Sequence, residues 1–327
     1  MTTAPNPLNN KIFQDATKAR AWLESLLWAD GRVCGYCGTV DESTPLEGRD
    51  GYYQCNSCRK QFTVQVGTVF ERSHIPLNKW LMAAFLLCAS KKGMSAHQMH
   101  RMLGVTYKSA WFMCHRLREA MAPLKAGPFG GEGMIIEADL TFVGGEQKNK
   151  HANKRVGRVG NKDKQIVHTL VERGGRARSD HIAKISGKTV RAVLTKQVDR
   201  RSALMTDEGG EFWRVGKEFA SHESVNHSAG EYVRGGVHSN TVESYFATFQ
   251  RGIVGTYHSV SEAHLKRYLA EFDFRYNERS ALGVGDGERA TKALKGIVGK
   301  RLTYRRTDKA GNGQAEGPRV FTVAQPI

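Results

Sequence analysis

The sequence predicts a mixed α/β domain standing behind two smaller modules, a cysteine-rich ribbon and a helical hairpin. Three observations predict it. Two Cys-x-x-Cys pairs lie within a β-type stretch at 31–70. A helical block runs from about Asn78 to Ala120 and is broken at Gly104. Beyond a boundary made by Pro123, Gly127, Pro128, Gly130, Gly131 and Gly133, strand-like segments come first and helix-like segments then interleave with them. The strand-like segments are 134–143, 165–172, 180–186, 202–206 and 222–227. The helix-like ones are 188–198, 210–220, 240–251 and 261–279, and such interleaving is the pattern of a mixed α/β layer fold.

The first element is a helix over 15–28, with Ala16, Ala19, Trp22, Leu23, Leu26 and Leu27 at helical spacing and Asp15 as its N-cap. Cys34-Gly-Tyr-Cys37 and Cys55-Asn-Ser-Cys58 follow, separated by seventeen residues. Two residues between thiolates let both sulfurs of one turn reach a single ion, and two such turns complete the tetrahedral shell of Zn²⁺. Asp50-Gly51 precedes Tyr52-Tyr53-Gln54 as the turn of a hairpin feeding the second pair. Four protein ligands close the site, so the zinc is structural, and its binding supplies folding energy that 31–70 lacks in apolar residues. Cys88 and Cys114 sit in apolar helical settings and read as core.

The helical hairpin comes next. Ser95 caps a helix through Leu103, Gly104-Val105 makes the turn, and Thr106 caps a second helix through Met121. This is the arrangement of a helix-turn-helix whose second helix enters the DNA major groove. Its exposed candidates are Tyr107, Lys108 and Ser109, with His115 and Arg116 further along. Nine Lys/Arg against two Glu over 71–125 suit docking on phosphates. The whole chain supports the same partner: 49 Lys+Arg against 32 Asp+Glu give a net charge of +17 in 327 residues, a field that attracts a polyanion. No apolar run is long enough to span a bilayer, and the polar first ten residues do not form a signal peptide, so a membrane or secreted protein is not expected.

Within the α/β region the acids draw attention. The strand Met134–Val143 places Glu137 and Asp139 on one face by its alternation. A second apolar strand, 202–206, ends at Asp207, and Asn240-Thr-Val-Glu243 opens a helix. Asp139 and Asp207 are 68 positions apart, and 35 residues separate Asp207 from Glu243. Carboxylates are wanted in a basic protein when two divalent ions must stabilise the attacking and departing oxygens of a phosphodiester displacement. Taken singly, each acid also fits a cap or a surface charge, Asp207 as the cap of the helix at 210–220. The glycine-rich basic segment 144–164, with Lys148, Lys150, Lys154, Arg155, Arg158, Lys162 and Lys164, fits a DNA clamp and a solvated loop equally, as do Lys300, Arg301, Arg305 and Arg306.

Several stretches together resemble the bacterial insertion-sequence DDE transposases that carry an N-terminal zinc ribbon, the ISXO-like family. They are Trp28-Ala-Asp-Gly31, Glu137-Ala-Asp139-Leu-Thr-Phe-Val-Gly-Gly145, Asn149-Lys150-His151, Thr206-Asp207-Glu-Gly209, His238-Ser-Asn240-Thr-Val-Glu243, Gly255-Thr-Tyr-His258, Glu271-Phe-Asp-Phe-Arg-Tyr-Asn277 and Gly299-Lys-Arg-Leu-Thr-Tyr304. The resemblance implies an RNase H-like fold, a mixed five-stranded sheet flanked by helices. It implies Asp139, Asp207 and Glu243 as ligands of two Mg²⁺ or Mn²⁺ ions, with Asn240 an alternative at the third position. Two positions depart from the pattern: Leu140 stands where Glu is frequent, and Gln250 where a DNA-contacting Lys is common, with Arg251 beside it as a replacement.

The implied activity is hydrolysis at a transposon end to leave a 3′-OH, which then attacks target DNA. Double-stranded DNA is then the partner, two ends call for a homodimer or larger assembly, and the location is the bacterial cytoplasm at the nucleoid. A non-catalytic DNA-binding regulator and an RNase H-like nuclease without strand transfer are the competing readings. The expected division is 1–70 for the N-terminal helix and ribbon, 71–125 for the helix-turn-helix, 126–283 for the catalytic domain and 284–327 for a basic tail.

Overall fold

The computed structural model describes residues 7–123, 127–145, 151–155 and 164–303. The chain divides into two compact units, one of Met1–Ser90, Met94–Ala122 and Ser280–Ile327, the other of Lys91–Gly93 and Pro123–Arg279.

In the first unit α1 (Ala16–Leu27) opens at Asp15, whose carboxylate accepts the N–H groups of Thr17 and Lys18. The ribbon is a three-stranded antiparallel sheet, β1 (Ser43–Pro45), β2 (Tyr53–Cys55) and β3 (Gln61–Phe62), in that order. α2 (Leu77–Ala89) is apolar on nearly every side and correspondingly buried, from Leu77 and Trp80 through Leu87 and Cys88. α3 (Ala96–Leu103) and α4 (Tyr107–Met121) form the hairpin. Gly104 between them has φ +58°, the left-handed conformation that closes a helix C-terminus, and Ser95 and Thr106 cap the two helices through Gln98 N–H and Ser109 N–H.

The stretch beginning at 284, expected as a basic tail, carries α9 (Asp286–Lys295), which packs on α2. Its apolar stripe is only Ala290, Ala293 and Leu294 among charged residues, too thin a signal to read as a helix. Residues 304–327, including Arg305 and Arg306, lie outside the described residues.

The second unit is built on a five-stranded mixed sheet in the order β6-β5-β4-β7-β8, where β4 is Ile135–Val143, β5 Gln165–Glu172, β6 Ala177–Ile182, β7 Ala203–Thr206 and β8 Ser221–Ser224. β4, β5 and β6 pair antiparallel, while β4, β7 and β8 pair parallel. Alternation sorts β4 cleanly. Ile136, Ala138 and Leu140 face α5 (Gly187–Gln197) through Val190 and Leu194, together with Phe212 and Val215. On the other face Val143 joins Val167 and Val171 of β5 beneath α7 (Asn240–Gly252) and α8 (Glu262–Asn277), with Phe246, Phe249, Leu269 and Phe272 closing that core. This is the mixed sheet with flanking helices that the resemblance implies for an RNase H-like domain.

Three boundaries differ from expectation. The helix read at 210–220 is only α6 (Trp213–Gly216), because Gly209, Gly210 and Gly216 are poor helix residues. Gly216 also admits no side chain, since a Cβ there would meet the His222 ring at 2.1 Å. β6 begins at Ala177 rather than 180, directly after the turn in which Glu172 N–H bonds to Arg176 O, and it ends before Ser186 caps α5. β8 ends at Ser224, before Asn226 caps a short 3₁₀ turn at His227–Ala229.

Candidate active site and metal centre

The four ribbon cysteines converge. Their Sγ atoms all lie within 4.8 Å of one another, with Cys34–Cys58 at 3.8 Å and Cys37–Cys55 at 3.6 Å. Zn–S bonds of 2.3 Å in a tetrahedron require S···S separations of about 3.8 Å, which the Cys34–Cys58 and Cys37–Cys55 pairs match. Burial pushes the Cys34 thiol up to about 12, whereas the Thr39 hydroxyl beside Cys37 draws that thiol down to about 6. Around the quartet the apolar support is small, Tyr53 and Phe62 with Trp28, Tyr36 and Val66 at their edge. Among the described residues this is the one group of ligating side chains drawn so tightly together.

At the start of α4, Tyr107 and Lys108 are exposed and Ser109 is half-buried, and the Tyr107 ring stacks on His97 of α3 at 4.2 Å. The further candidates on this helix are corrected by the structure. His115 is fully buried, and Arg116 is buried with its guanidinium donating to Glu71 O at 3.1 Å and Leu302 O at 3.2 Å. Both fall on the inward stripe with Met113, Cys114 and Leu117, a face that the 3.6-residue period turns away from solvent. Lys300 is likewise neither a clamp nor a free cation. Its ammonium donates to Ala120 O at 2.9 Å and to Ala122 O, capping the C-terminus of α4, and burial lowers its pKa to about 8.

In the second unit the acids come from three different elements. Asp139 is central in β4. The parallel register pairs Glu137 with Met205, so Asp139 lies two residues beyond the last position at which β4 pairs with β7, and Asp207, immediately after β7, lies two beyond the matching position on that strand. Glu243 stands in the first turn of α7, where Ser239 Oγ donates to its Oε1 at 2.8 Å. Electrostatics registers their proximity. Asp139 is raised from 3.8 to about 7, chiefly by burial and then by the negative charges of Asp207, Glu243 and Glu211, against the opposing hydrogen bond from Leu140 N–H. Asp207 does not cap a long helix. Its Oδ1 accepts only the nearby Gly209 N–H at 3.0 Å, and α6 starts four residues later. Asn240 is exposed as the first residue of α7.

Two neighbours of this site carry no sequence signal. Glu211 adds a fourth carboxylate near Asp139 and, with Asp207, flanks Gly209. His227 lies with Nε2 3.4 Å from Glu243 Oε1, its ring beside Tyr232. Its segment is held by Glu208, which accepts His227 N–H, Ser228 N–H and the Ser228 hydroxyl and is thereby lowered to about 2. His227 opens a three-residue 3₁₀ turn, too short for periodicity or ligand spacing to mark it.

Of the basic candidates, Arg155 and Arg251 are exposed, Arg251 donating from Nε to Ala247 O. Lys148, Lys150, Arg158 and Lys162 lie outside the described residues, and only the backbone of Lys154 is described. Gln250 is turned onto β4, donating to Thr141 Oγ1 at 3.1 Å and Phe142 O at 3.0 Å. Among the described residues no helix is long and apolar enough to cross a membrane.

The chain is strongly basic, its four ribbon cysteines could hold a metal ion, and Asp139 on the mixed sheet feels the charges of Asp207, Glu243 and Glu211. Comparison with known proteins makes the class specific. Residues 130–277 match the ISXO2-like transposase domain, and residues 15–61 match the transposase zinc-ribbon domain. The chain thus carries a transposase zinc-ribbon domain followed by an ISXO2-like transposase domain. It is similar to an uncharacterized protein in the transposable element ISH50 of Halobacterium salinarum, with 28% identity over 275 residues, 81% of this chain and 92% of the relative.

Proposed function

We propose that this transposase cleaves the ends of its own insertion sequence and joins the freed 3′-OH to target DNA. The observation that carries the reading is the raised Asp139 carboxyl, which feels Asp207 and Glu243 from two other elements inside the matched transposase domain. Asp139, Asp207 and Glu243 would hold two Mg²⁺ or Mn²⁺ ions, hard cations suited to oxygen donors. Such a pair, when bound, offsets the charge that develops on the attacking and departing oxygens of an in-line displacement.

The remaining residues bind and orient. Ser239 fixes the Glu243 carboxylate, and Glu208 holds the segment that brings His227 beside it. The N-terminus of α4, with Tyr107, Lys108 and Ser109, reads transposon-end DNA, while Lys148, Lys150, Lys154, Arg155 and Arg251 contribute phosphate contacts. Two ends act together, so the working assembly is a homodimer or larger. The zinc quartet serves folding of the ribbon.

The test is a strand-transfer assay on DNA carrying the element's own ends, with and without Mg²⁺, using Asp139→Ala as the control. Joined product that requires Mg²⁺ and disappears in Asp139→Ala supports the reading. Cleavage without joining replaces it with a nuclease, binding without cleavage replaces it with a regulator, and full activity in Asp139→Ala removes the site assignment.

A further inference from the structure

Helix α7 carries Glu243 in its first turn, yet the side chain of its N-cap residue Ser239 accepts no hydrogen bond from that turn. Glu137 does so from the sheet. Its Oε2 accepts Thr241 N–H at 2.8 Å and Val242 N–H at 3.0 Å, and its Oε1 accepts the Thr241 hydroxyl at 2.8 Å. Glu137 is fully buried, a position a carboxylate tolerates only when its charge is matched and its lone pairs are used. The positive end of the α7 dipole matches it from one side and the Arg173 guanidinium, 2.6 Å from Oε1, from the other. Arg173 also donates to Gly236 O and His238 O, both at 2.8 Å, so the segment leading into α7 is tied to the same point.

The other end of α7 is tied as well, by Gln250 donating to Thr141 Oγ1 and Phe142 O. Glu137 and Thr141 lie two residues before and two after Asp139, on the same face of β4. Four strand residues span about 13 Å at 3.3 Å each. The nine steps along the helix from Thr241 to Gln250 span about 13.5 Å at 1.5 Å each. The two anchored lengths match, so one strand segment and one helix segment can be pinned together at both ends.

We infer that Glu137 with Arg173, and Gln250 with Thr141, form a two-point clamp whose task is to set the spacing between the Asp139 and Glu243 carboxyl groups. These are positioning residues: they touch neither ion nor DNA and act through the seat of α7. The inference rests on the reading of Asp139 and Glu243 as ligands of one metal centre. It assigns the Gln250 side chain a role on β4.

The experiment uses the full zinc-loaded chain and measures Mn²⁺ affinity by electron paramagnetic resonance, with melting temperature and amide exchange at Thr241 and Val242 alongside. Glu137→Gln keeps the shape and loses the charge, Glu137→Asp keeps the charge and shortens the reach, and Gln250→Leu removes the far anchor. Each is expected to weaken Mn²⁺ binding about tenfold or more, the scale seen when groups that orient metal ligands are removed. Exchange at Thr241 and Val242 is expected to quicken in both Glu137 variants. Mn²⁺ affinity within about twofold of wild type in folded Gln250→Leu and Glu137→Gln overturns the clamp. Should Glu137→Gln fail to fold, Gln250→Leu decides alone. Asp139→Asn separates the two ideas. If it leaves Mn²⁺ affinity unchanged, the metal-centre reading falls and the clamp with it; if it abolishes binding while the clamp variants bind normally, the clamp alone falls.

Discussion

Asn277 grips Ala177 by both of its backbone polar groups, its Oδ1 accepting Ala177 N–H at 2.6 Å and its Nδ2 donating to Ala177 O at 3.0 Å. Ala177 opens β6, an edge strand, and the side-chain amide supplies what a neighbouring strand would have supplied. Asp273, one helical turn earlier on α8, continues the cover by accepting Ser179 N–H at 2.8 Å. The motif Glu271–Asn277 thus seals a sheet edge, a place where unpaired backbone invites pairing with other chains. Asn277→Ala should cost about 1–3 kcal/mol, the price of leaving such groups without partners. Calorimetry and light scattering at matched concentration check it, with a lower melting temperature and faster aggregation expected.

Zinc removal should unfold the ribbon. The apolar support around the quartet is a handful of side chains, and structural zinc contributes on the order of 10 kcal/mol to modules of this kind. Trp28 packs edge-on against Tyr53 at 5.5 Å and Phe62 at 6.1 Å, so its fluorescence reports the change. A strong chelator, or Cys55→Ser, is expected to shift that emission to the red, and zinc is expected to restore it only in the wild type.

Asp139 makes the second unit's stability depend on pH. Its carboxyl is raised above the ordinary value of 3.8 to about 7, so the folded chain holds a proton that the unfolded chain releases. Stability from this group is therefore greatest below about pH 4, falls as pH rises between about 4 and 7, and levels off above 7. Melting curves of wild type and Asp139→Asn across that range should diverge by several degrees, wild type showing the steeper slope because Asp273, raised to about 6 by burial, contributes in both. Mg²⁺ at about pH 8 is expected to raise the melting temperature of wild type and to leave Asp139→Asn unchanged.

Lys108 and Lys300 should separate under salt. Lys108 is exposed at the start of α4, whereas the Lys300 ammonium is spent on the carbonyls of Ala120 and Ala122. If Lys108 contacts a phosphate, Lys108→Ala lowers the slope of log affinity for end DNA against log salt by about 1. Lys300→Met leaves that slope unchanged and lowers stability by about 1–2 kcal/mol, as two helix-terminal carbonyls lose their donor. Fluorescence anisotropy over a salt series, with melting curves, measures both.

Local chemistry explains what was legible. Asp15, Ser95 and Thr106 cap helices where the sequence puts them, because a cap depends on residues within three positions of itself. The two cysteine pairs announce a metal site because each turn is short, and the alternation of β4 separates Ile136 and Ala138 from Glu137 and Asp139 without further information. The partners that let Arg116 be buried are not legible locally, because its guanidinium donates to the carbonyls of Glu71 and Leu302, far along the chain. α9 was missed because its few apolar residues acquire meaning only against α2.

By itself the sequence determined most of the kinds of element, the cysteine quartet and the basic character, since each is encoded in residue type and near spacing. Only the tertiary structure decided how the acids are held. Glu137 and Val242 are 105 positions apart, and the hydrogen bond between them exists because β4 and α7 pack face to face. A buried carboxylate chooses its partners by what the fold brings within 3 Å, and no periodicity records that choice.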